Sequence, residues 1–352
     1  MDIDKKCDEP WLQSWPSYGL ESIHNCPVCG ESERKLLYSG LVDNVFRVAT
    51  GKWMLWQCAY CNSAYLDPRP NKLSIGRAYK TYYTHNVATT SDSPSQMGRF
   101  RLLRRALVNG YLNDRYGAQY QPECRYGKTI CKYAFPYMRE ALDVKFRWLP
   151  KPKEGQRLLD VGCGNGSFLM KARDAGWQVV GVDFDPKAAA VARGSGLEVY
   201  TGSMEVFDEE KASFDVITLS HVIEHVHDPK AVLVAIYRLL KPGGLVYFDT
   251  PNIQSYGHRV FGSNWRGLET PRHLTLFSIR GFQLLLQHVG FNDIEFKRRR
   301  SVSRNIYLNS LKLVREDKTV QSLPWGSWLR MHLPFRPLQH MEFITLLAHK
   351  KA

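Results

Sequence analysis

The stretch LLDVGCGNGSF (residues 158–168) constrains the fold of this chain more than any other. A short apolar run gives way to alternating glycines, and a helical pattern follows at once. Glycines at 162, 164 and 166 let the backbone turn sharply and lie against a ligand with no side chain between them. A dinucleotide fingerprint, G-x-G-x-x-G, needs its third glycine at 167, where this chain carries Ser167. The ligand expected here is therefore not a pyrophosphate. Past the loop, strand-like and helix-like segments alternate: WQVVGVD, DPKAAAVARGSG, LEVY, FDVITLS, PKAVLVAIYRLLKPGG, LVYFDTP, SIRGFQLLLQHVG, FNDIEF and EFITLLAHK. That alternation predicts a parallel sheet covered on both faces, with ligands at the carboxyl ends of its strands. Ser278 reads as the N-cap of the helix that Gly290 stops. Asp183 ends the second strand, where an acid can accept both hydroxyls of a ribose.

Taken together, LLDVGCGNG, GVDFDP, FDVITLSHVIEHVHDP and LKPGGLVYFDTPN resemble the successive motifs of class I S-adenosylmethionine-dependent methyltransferases. The resemblance spans residues 156 to about 300. It implies an α/β, Rossmann-like core of seven strands, the last antiparallel, and S-adenosylmethionine as cofactor. It sets Gly162, Gly164 and Gly166 against the methionine part of that cofactor, with Asp160 close by. It puts Asp183 on the ribose, Phe184 against the adenine, and Ser220, which closes the fourth strand, among the contacts. Many relatives carry an acid for the adenine amino group; this chain has Ser203 and Met204 there.

Of eight cysteines, four form CPVC (Cys26, Cys29) and CAYC (Cys58, Cys61). In a reducing cytosol such pairs read as metal ligands. Residues 30–57, between the pairs, exceed the roughly 15–20 of compact ribbons, and a β-hairpin about Gly51-Lys52 would fill the interval. Four thiolates make a closed, structural Zn2+ site that organises the fold and does no chemistry. The predicted organisation is an N-terminal arm and zinc-ribbon-like module at 1–70 and a helical, basic linker or cap at 71–150. A methyltransferase domain at 151–352 follows, with insertions at 253–277 and 301–340. In the linker, Phe100, Leu103, Leu107 and Tyr111 recur at helical spacing among arginines, a pattern suited to a membrane surface or to packing on the protein itself. Gly110 weakens that helix.

HVIEHVHDP (221–229) follows the fourth strand. His221, Glu224 and His225 stand at i, i+3 and i+4, a spacing that shares one helical face, while His227 points elsewhere. NWRGLETPRHLTLF (264–277) adds Glu269, Arg272 and His273 after the fifth strand. Both segments leave adjacent strands at one edge and can converge over a methyl donor. Three readings stand open. His225 or His273 acts as a general base. Alternatively His221, Glu224, His225 and His273 hold a second, divalent ion that orients two hydroxyls, similar to methyltransferases that cap small-RNA 3′ ends. In the third, Glu224 and His225 shape the pocket by hydrogen bonding.

A four-cysteine module, LDPRP, YYTH, this core and PRHLTLFS together resemble bacterial methyltransferases encoded with surface-polysaccharide genes. That resemblance implies O-methylation of a sugar, nucleotide-sugar or lipid-linked glycan acceptor, with Tyr256, Phe261, Trp265 and Arg266 as a wall for the sugar ring or as a packed cap. RNA 2′-O-methylation and C-methylation of a nucleotide sugar are the alternatives. A net charge of +14 suits an acceptor bearing a diphosphate. Nucleic acid is favoured by KRRR (297–300) but lacks a recognisable RNA-binding motif. No run approaches the roughly 20 apolar residues of a membrane helix, and the first residues carry no apolar leader. The expected setting is cytoplasmic, with peripheral contact at the inner face of the membrane.

Overall fold

The computed structural model describes residues 9–79, 98–133, 136–300, 303–316, 326 and 337–352. Five strands come first: β1 (Leu20–Glu21), β2 (Arg34–Leu41), β3 (Trp53–Cys58), β4 (Ala64–Leu66) and β5 (Arg69–Pro70). Three helices follow: α1 (Arg99–Tyr116), α2 (Gly127–Tyr133) and α3 (Pro136–Lys145). The remainder alternates β6 (Arg157–Val161), α4 (Ser167–Asp174), β7 (Gln178–Asp183), α5 (Pro186–Gly194), β8 (Glu198–Thr201), β9 (Phe214–Ser220), α6 (Pro229–Leu239) and β10 (Leu240–Pro251). After α7 (Tyr256–Phe261) and β11 (Thr275–Leu276) come α8 (Ile279–Val289), β12 (Phe291–Lys297), α9 (Ser303–Glu316) and β13 (Phe343–Lys350).

Seven of these strands form one sheet in the order β12-β13-β10-β9-β6-β7-β8. Strands β6 to β10 pair in parallel, whereas β13 runs antiparallel to both its neighbours. This is the Rossmann-like methyltransferase arrangement that the motifs implied. The chain moves outward one way through β7 and β8, then returns past β6 to β9. The carboxyl ends of β6 and β9 therefore lie side by side at the switch point, where a ligand finds a crevice. β6 is buried from Leu158 to Val161, as a strand covered on both faces must be. One apolar layer sets Leu233 and Ile236 of α6 and Phe282 and Leu285 of α8 against the sheet. The other takes Leu169 of α4 and Ala189 of α5, with Tyr111, Tyr116 and Phe146 from the helical segment. Local signals agree with these ends. Asp185 and Asp228 cap α5 and α6, each followed by proline in the first turn. Ser278 caps α8, and Gly290 ends it in the left-handed region.

A second, antiparallel sheet has the order β11-β4-β3-β2. Its fourth strand, β11, comes from the 253–277 stretch, some 200 residues beyond β4. Helix α1 is buried only in its second half: Phe100 is 91% exposed and Tyr111 5%. Gly110, expected to weaken this helix, also has a packing reason. A Cβ there would lie 2.0 Å from the Cys124 carbonyl oxygen, so the glycine permits a close approach of two segments. No helix among the described residues is long and apolar enough to cross a membrane. YYTH and most of the 301–340 stretch fall outside the described residues.

Candidate active site

The glycine loop is built as the sequence suggests. Gly162 and Cys163 donate their N–H groups to the Val182 carbonyl, at 2.8 and 3.2 Å, which folds the loop back onto β7. Gly162 has φ +70°, and a Cβ on it would stand 2.4 Å from Val222 Cγ2. That contact ties the loop to the HVIEH segment. Gly164 has φ +55° with open space above it, which leaves its backbone exposed to a ligand. Asp183 accepts from the N–H groups of Gly164 (2.7 Å) and Asp185 (2.8 Å). Burial pushes its carboxyl up, and these two donors oppose the shift. Phe184, next to it, is 80% exposed and offers a free ring face. Ser203 Oγ accepts from Glu205 N, Met204 is buried, and Ser220 is half-buried at the end of β9.

Asp160 is 1% exposed. Its Oδ1 accepts from Thr218 Oγ1 at 2.9 Å and pairs with Arg147. Its Oδ2 has no partner among the described residues, an orphaned buried acceptor at the head of the loop. S-adenosylmethionine fits this set: an ammonium for Asp160 Oδ2, a backbone cradle at Gly164 and a carboxylate in reach of ribose hydroxyls. The sequence reading missed Arg147. It follows α3 in a left-handed conformation (φ 53°), and its guanidinium lies 3.6 Å from the centre of the Phe168 ring. No motif marks an arginine that reaches the site from outside the alternating core.

HVIEH does not form an α-helical face. His221 is left-handed (φ 58°), and only a single 3-10 turn, Ile223–His225, follows. The i, i+3, i+4 spacing is met by a turn that buries Glu224 completely and leaves His221 outside. His221 Nδ1 lies 3.3 Å from Glu224 Oε1, and its Nε2 lies 3.3 Å from Asp249 Oδ2. Glu224 Oε2 accepts from Thr250 Oγ1 at 3.0 Å. Burial alone would raise the Glu224 carboxyl, but the His221 hydrogen bond and the neighbouring imidazoles bring it down to about 2, a carboxylate. His225 Nδ1 lies 3.1 Å from the Arg272 carbonyl and 2.9 Å from Tyr79 Oη. His273 Nδ1 lies 2.8 Å from the Gly267 carbonyl, and burial pushes this imidazole down to about 4, so it is neutral. The two rings meet edge to face at 4.8 Å. Ligand-capable atoms of Glu224, His225 and His273 lie within 4.8 Å of one another, while His221 touches this set only through Glu224. The structure thus assembles three of the four residues expected to share a site. Since a carbonyl only accepts, the neutral His273 carries its proton on Nδ1, and the Arg272 carbonyl favours a proton on Nδ1 of His225 as well.

His227 does point elsewhere, and bonds the Pro70 carbonyl at 3.0 Å. Of the two readings of the 253–277 stretch, wall or packed cap, its aromatics fit the packed cap. Trp265 is 2% exposed and donates to Glu342 at 3.0 Å, and Phe261 packs into the core of the second sheet. Arg266 pairs with Glu269. Arg272, 1% exposed, forms a bidentate pair with Asp43 at 3.0 Å on both arms. The four cysteines converge. Cys26 and Cys61 sulfurs lie 3.7 Å apart, those of Cys29 and Cys58 3.5 Å apart, and all four fall within one metal-sized cluster.

A family model described as a methyltransferase domain matches residues 132–295. A ubiquinone biosynthesis O-methyltransferase of Cereibacter sphaeroides is 33% identical over 189 residues, which cover 51% of this chain and 72% of that protein. The chain belongs to the class I S-adenosylmethionine-dependent methyltransferases. The ubiquinone biosynthesis O-methyltransferase of Paracidovorax citrulli is 36% identical over 128 residues, 34% of this methyltransferase and 54% of the relative. The chain thus spans about half the length of that relative, and 61% of the one from Thiobacillus denitrificans. Among solved structures, phosphoethanolamine N-methyltransferase 2 of Haemonchus contortus with S-adenosyl-L-methionine has 21% identity and a TM-score of 0.45, covering 70% of this chain and 60% of that one. These findings correct the expected acceptor. The curated relatives carry the name of ubiquinone biosynthesis, not of a glycan pathway. The residues meant to cradle a sugar are spent on packing.

Proposed function

We propose that this methyltransferase transfers the methyl group of S-adenosylmethionine to a hydroxyl oxygen on an aromatic ring, of the kind a quinone precursor carries. The observation that carries the reading is the Glu224–His225–His273 cluster beside the glycine loop, with a backbone carbonyl against Nδ1 of each imidazole. The bound cofactor supplies an electrophilic methyl on a sulfonium. Asp160, Gly164 and Asp183 hold it, and Val222 against Gly162 fixes the spacing between cofactor and cluster. His225, the less buried of the two imidazoles, would take the hydroxyl proton on Nε2 as the oxygen bonds to the methyl carbon and the carbon–sulfur bond breaks, a neutral thioether leaving. The Glu224 carboxylate stabilises the resulting imidazolium. General-base assistance of this type is worth about 10²–10⁴ in rate. Transfer of labelled methyl to a catechol tests the reading. Label in the methoxy product, lost with His225→Ala, is expected. Label only in nucleic acid or protein fractions would sink it.

The four thiolates are proposed to hold one structural zinc ion. Their 3.5 and 3.7 Å separations suit the edge of a tetrahedron with Zn–S bonds of about 2.3 Å. Metal analysis should find one zinc per chain, lost with Cys58→Ser. Folded protein without metal would remove this assignment.

A further inference from the structure

Both groups that meet His225 Nδ1 are tied to the N-terminal part of the chain. Tyr79 ends a 3-10 turn just after the second sheet, and its Oη lies 2.9 Å from His225 Nδ1. The two rings meet edge to face at 6.1 Å. The Arg272 carbonyl reaches the same nitrogen at 3.1 Å. The Arg272 guanidinium lies 5.9 Å from the centre of the Tyr79 ring and is clamped by Asp43. Asp43 is in turn fixed by the N–H groups of Phe46, Val48 and Ala49. These contacts close a ring: Asp43 to Arg272, Arg272 to His225 and to Tyr79, Tyr79 to His225. The backbone follows suit. Leu274 N donates to the Glu224 carbonyl at 2.8 Å, and the Leu274 carbonyl accepts from Leu66 of β4 at 3.1 Å. Arg69 donates to the His227 carbonyl at 3.0 Å.

We propose that Tyr79 is a positioning residue for His225, acting with the Asp43–Arg272 pair, so that the N-terminal cysteine module is a working part of the acceptor site. This rests on the base role proposed for His225. A neutral imidazole has one proton and two nitrogens to place it on. A hydroxyl alone beside Nδ1 could donate to it and move the proton to Nε2, which would disable Nε2 as a base. The Arg272 carbonyl can only accept, so it holds the proton on Nδ1, and Tyr79 Oη becomes a second acceptor for that proton. Once Nε2 gains the substrate proton, both acceptors remain in place for the cation and the ring need not turn. The pair thus selects the tautomer and orients it, and the cysteine module sets the position of both acceptors.

The test uses the full chain with S-adenosylhomocysteine bound, compared with Tyr79→Phe, which keeps the ring and deletes only the hydroxyl. The first readout is nitrogen-15 NMR of labelled histidines at alkaline pH, where imidazoles are neutral. His225 is assigned by the signal that His225→Ala removes. The wild type is expected to show the Nδ1-protonated tautomer, and Tyr79→Phe the same tautomer with a displaced Nδ1 signal, one of the two acceptors being gone. An Nε2-protonated His225 in the wild type, or an unchanged signal in Tyr79→Phe, overturns the proposal. The second readout is catechol methylation. Tyr79→Phe should lower kcat about tenfold, with KM for S-adenosylmethionine within twofold, while His225→Ala loses about a hundredfold or more. A Tyr79→Phe kcat within twofold of wild type overturns the positioning role alone. Full activity in His225→Ala overturns the base reading, and this inference with it.

Discussion

Replacing Asp43 with alanine removes one half of the most completely buried ion pair described here. Asp43 and Arg272 side chains are 0% and 1% exposed, and they share two bonds of 3.0 Å. The substitution leaves a guanidinium in the interior, stacked on Phe46 but without a counter-charge. It also deprives the N–H groups of Phe46, Val48 and Ala49 of their acceptor. Breaking a buried pair from one side costs about 3–5 kcal/mol, because the surviving charge stays desolvated. We therefore expect Asp43→Ala to lose about 4 kcal/mol in urea unfolding followed by tryptophan fluorescence. The double variant Asp43→Ala, Arg272→Met removes the stranded charge and should recover part of that loss, the unmet N–H groups keeping the rest. Acid provides a second check. Burial raises the Asp43 carboxyl, but Arg272 and the Ala49 and Val48 N–H groups outweigh it and hold it below 3.8. A carboxyl depressed in the folded state stabilises fully above its unfolded value, near 4, and that stabilisation fades as pH falls through the folded one. The gap between wild type and Asp43→Ala should thus narrow on acidification. A loss under about 1 kcal/mol at neutral pH, the scale of a solvent-exposed pair, would refute the reasoning.

Asp183→Ala should abolish S-adenosylhomocysteine binding in calorimetry, since it removes both the acceptor proposed for the ribose and the anchor of the Gly164 N–H; binding within threefold of wild type would overturn that assignment. Gly162→Ala should weaken cofactor binding at least tenfold, because its Cβ would meet Val222 at 2.4 Å from a backbone at φ +70°; an unaltered Kd would show that Val222 gives way freely.

Where local chemistry specifies structure, the sequence was a good guide. The glycine loop, the capped starts of α5, α6 and α8, and the parallel run from β6 to β10 follow from spacing and turn residues within a few positions of each other. The cysteine cluster was legible because two residues between thiols have one common geometric use. The acceptor side was legible only in part. The spacing of His221, Glu224 and His225 is the same in an α-helix and in a 3-10 turn. The choice between them came from His221 turning left-handed to stand between two buried carboxylates. Partners far apart in sequence were invisible. Arg272 was grouped with Glu269 and His273 after the fifth strand, and its counter-charge Asp43 lies 229 positions away. Trp265 looked like a binding wall, and Glu342 claims its N–H from 77 positions away. Conversely, Arg147 had no pattern to announce it and yet reaches Asp160.

The splice of β11 into the N-terminal sheet has a consequence for biosynthesis. Ribosomes extend a chain at about 5–20 residues per second, and N-terminal parts generally fold first. Here β2, β3 and β4 emerge early, but the strand that covers the open edge of β4 follows some 200 residues later. For about 10–40 seconds of synthesis, that edge is an unsatisfied row of N–H and C=O groups with Ala64, Tyr65 and Leu66 on it. The sheet cannot be completed until most of the larger one has been made. A ligated metal at the four cysteines would hold the early hairpin in register through this interval. A nascent chain halted before residue 275 should accordingly be far more prone to aggregate than one halted just after 276.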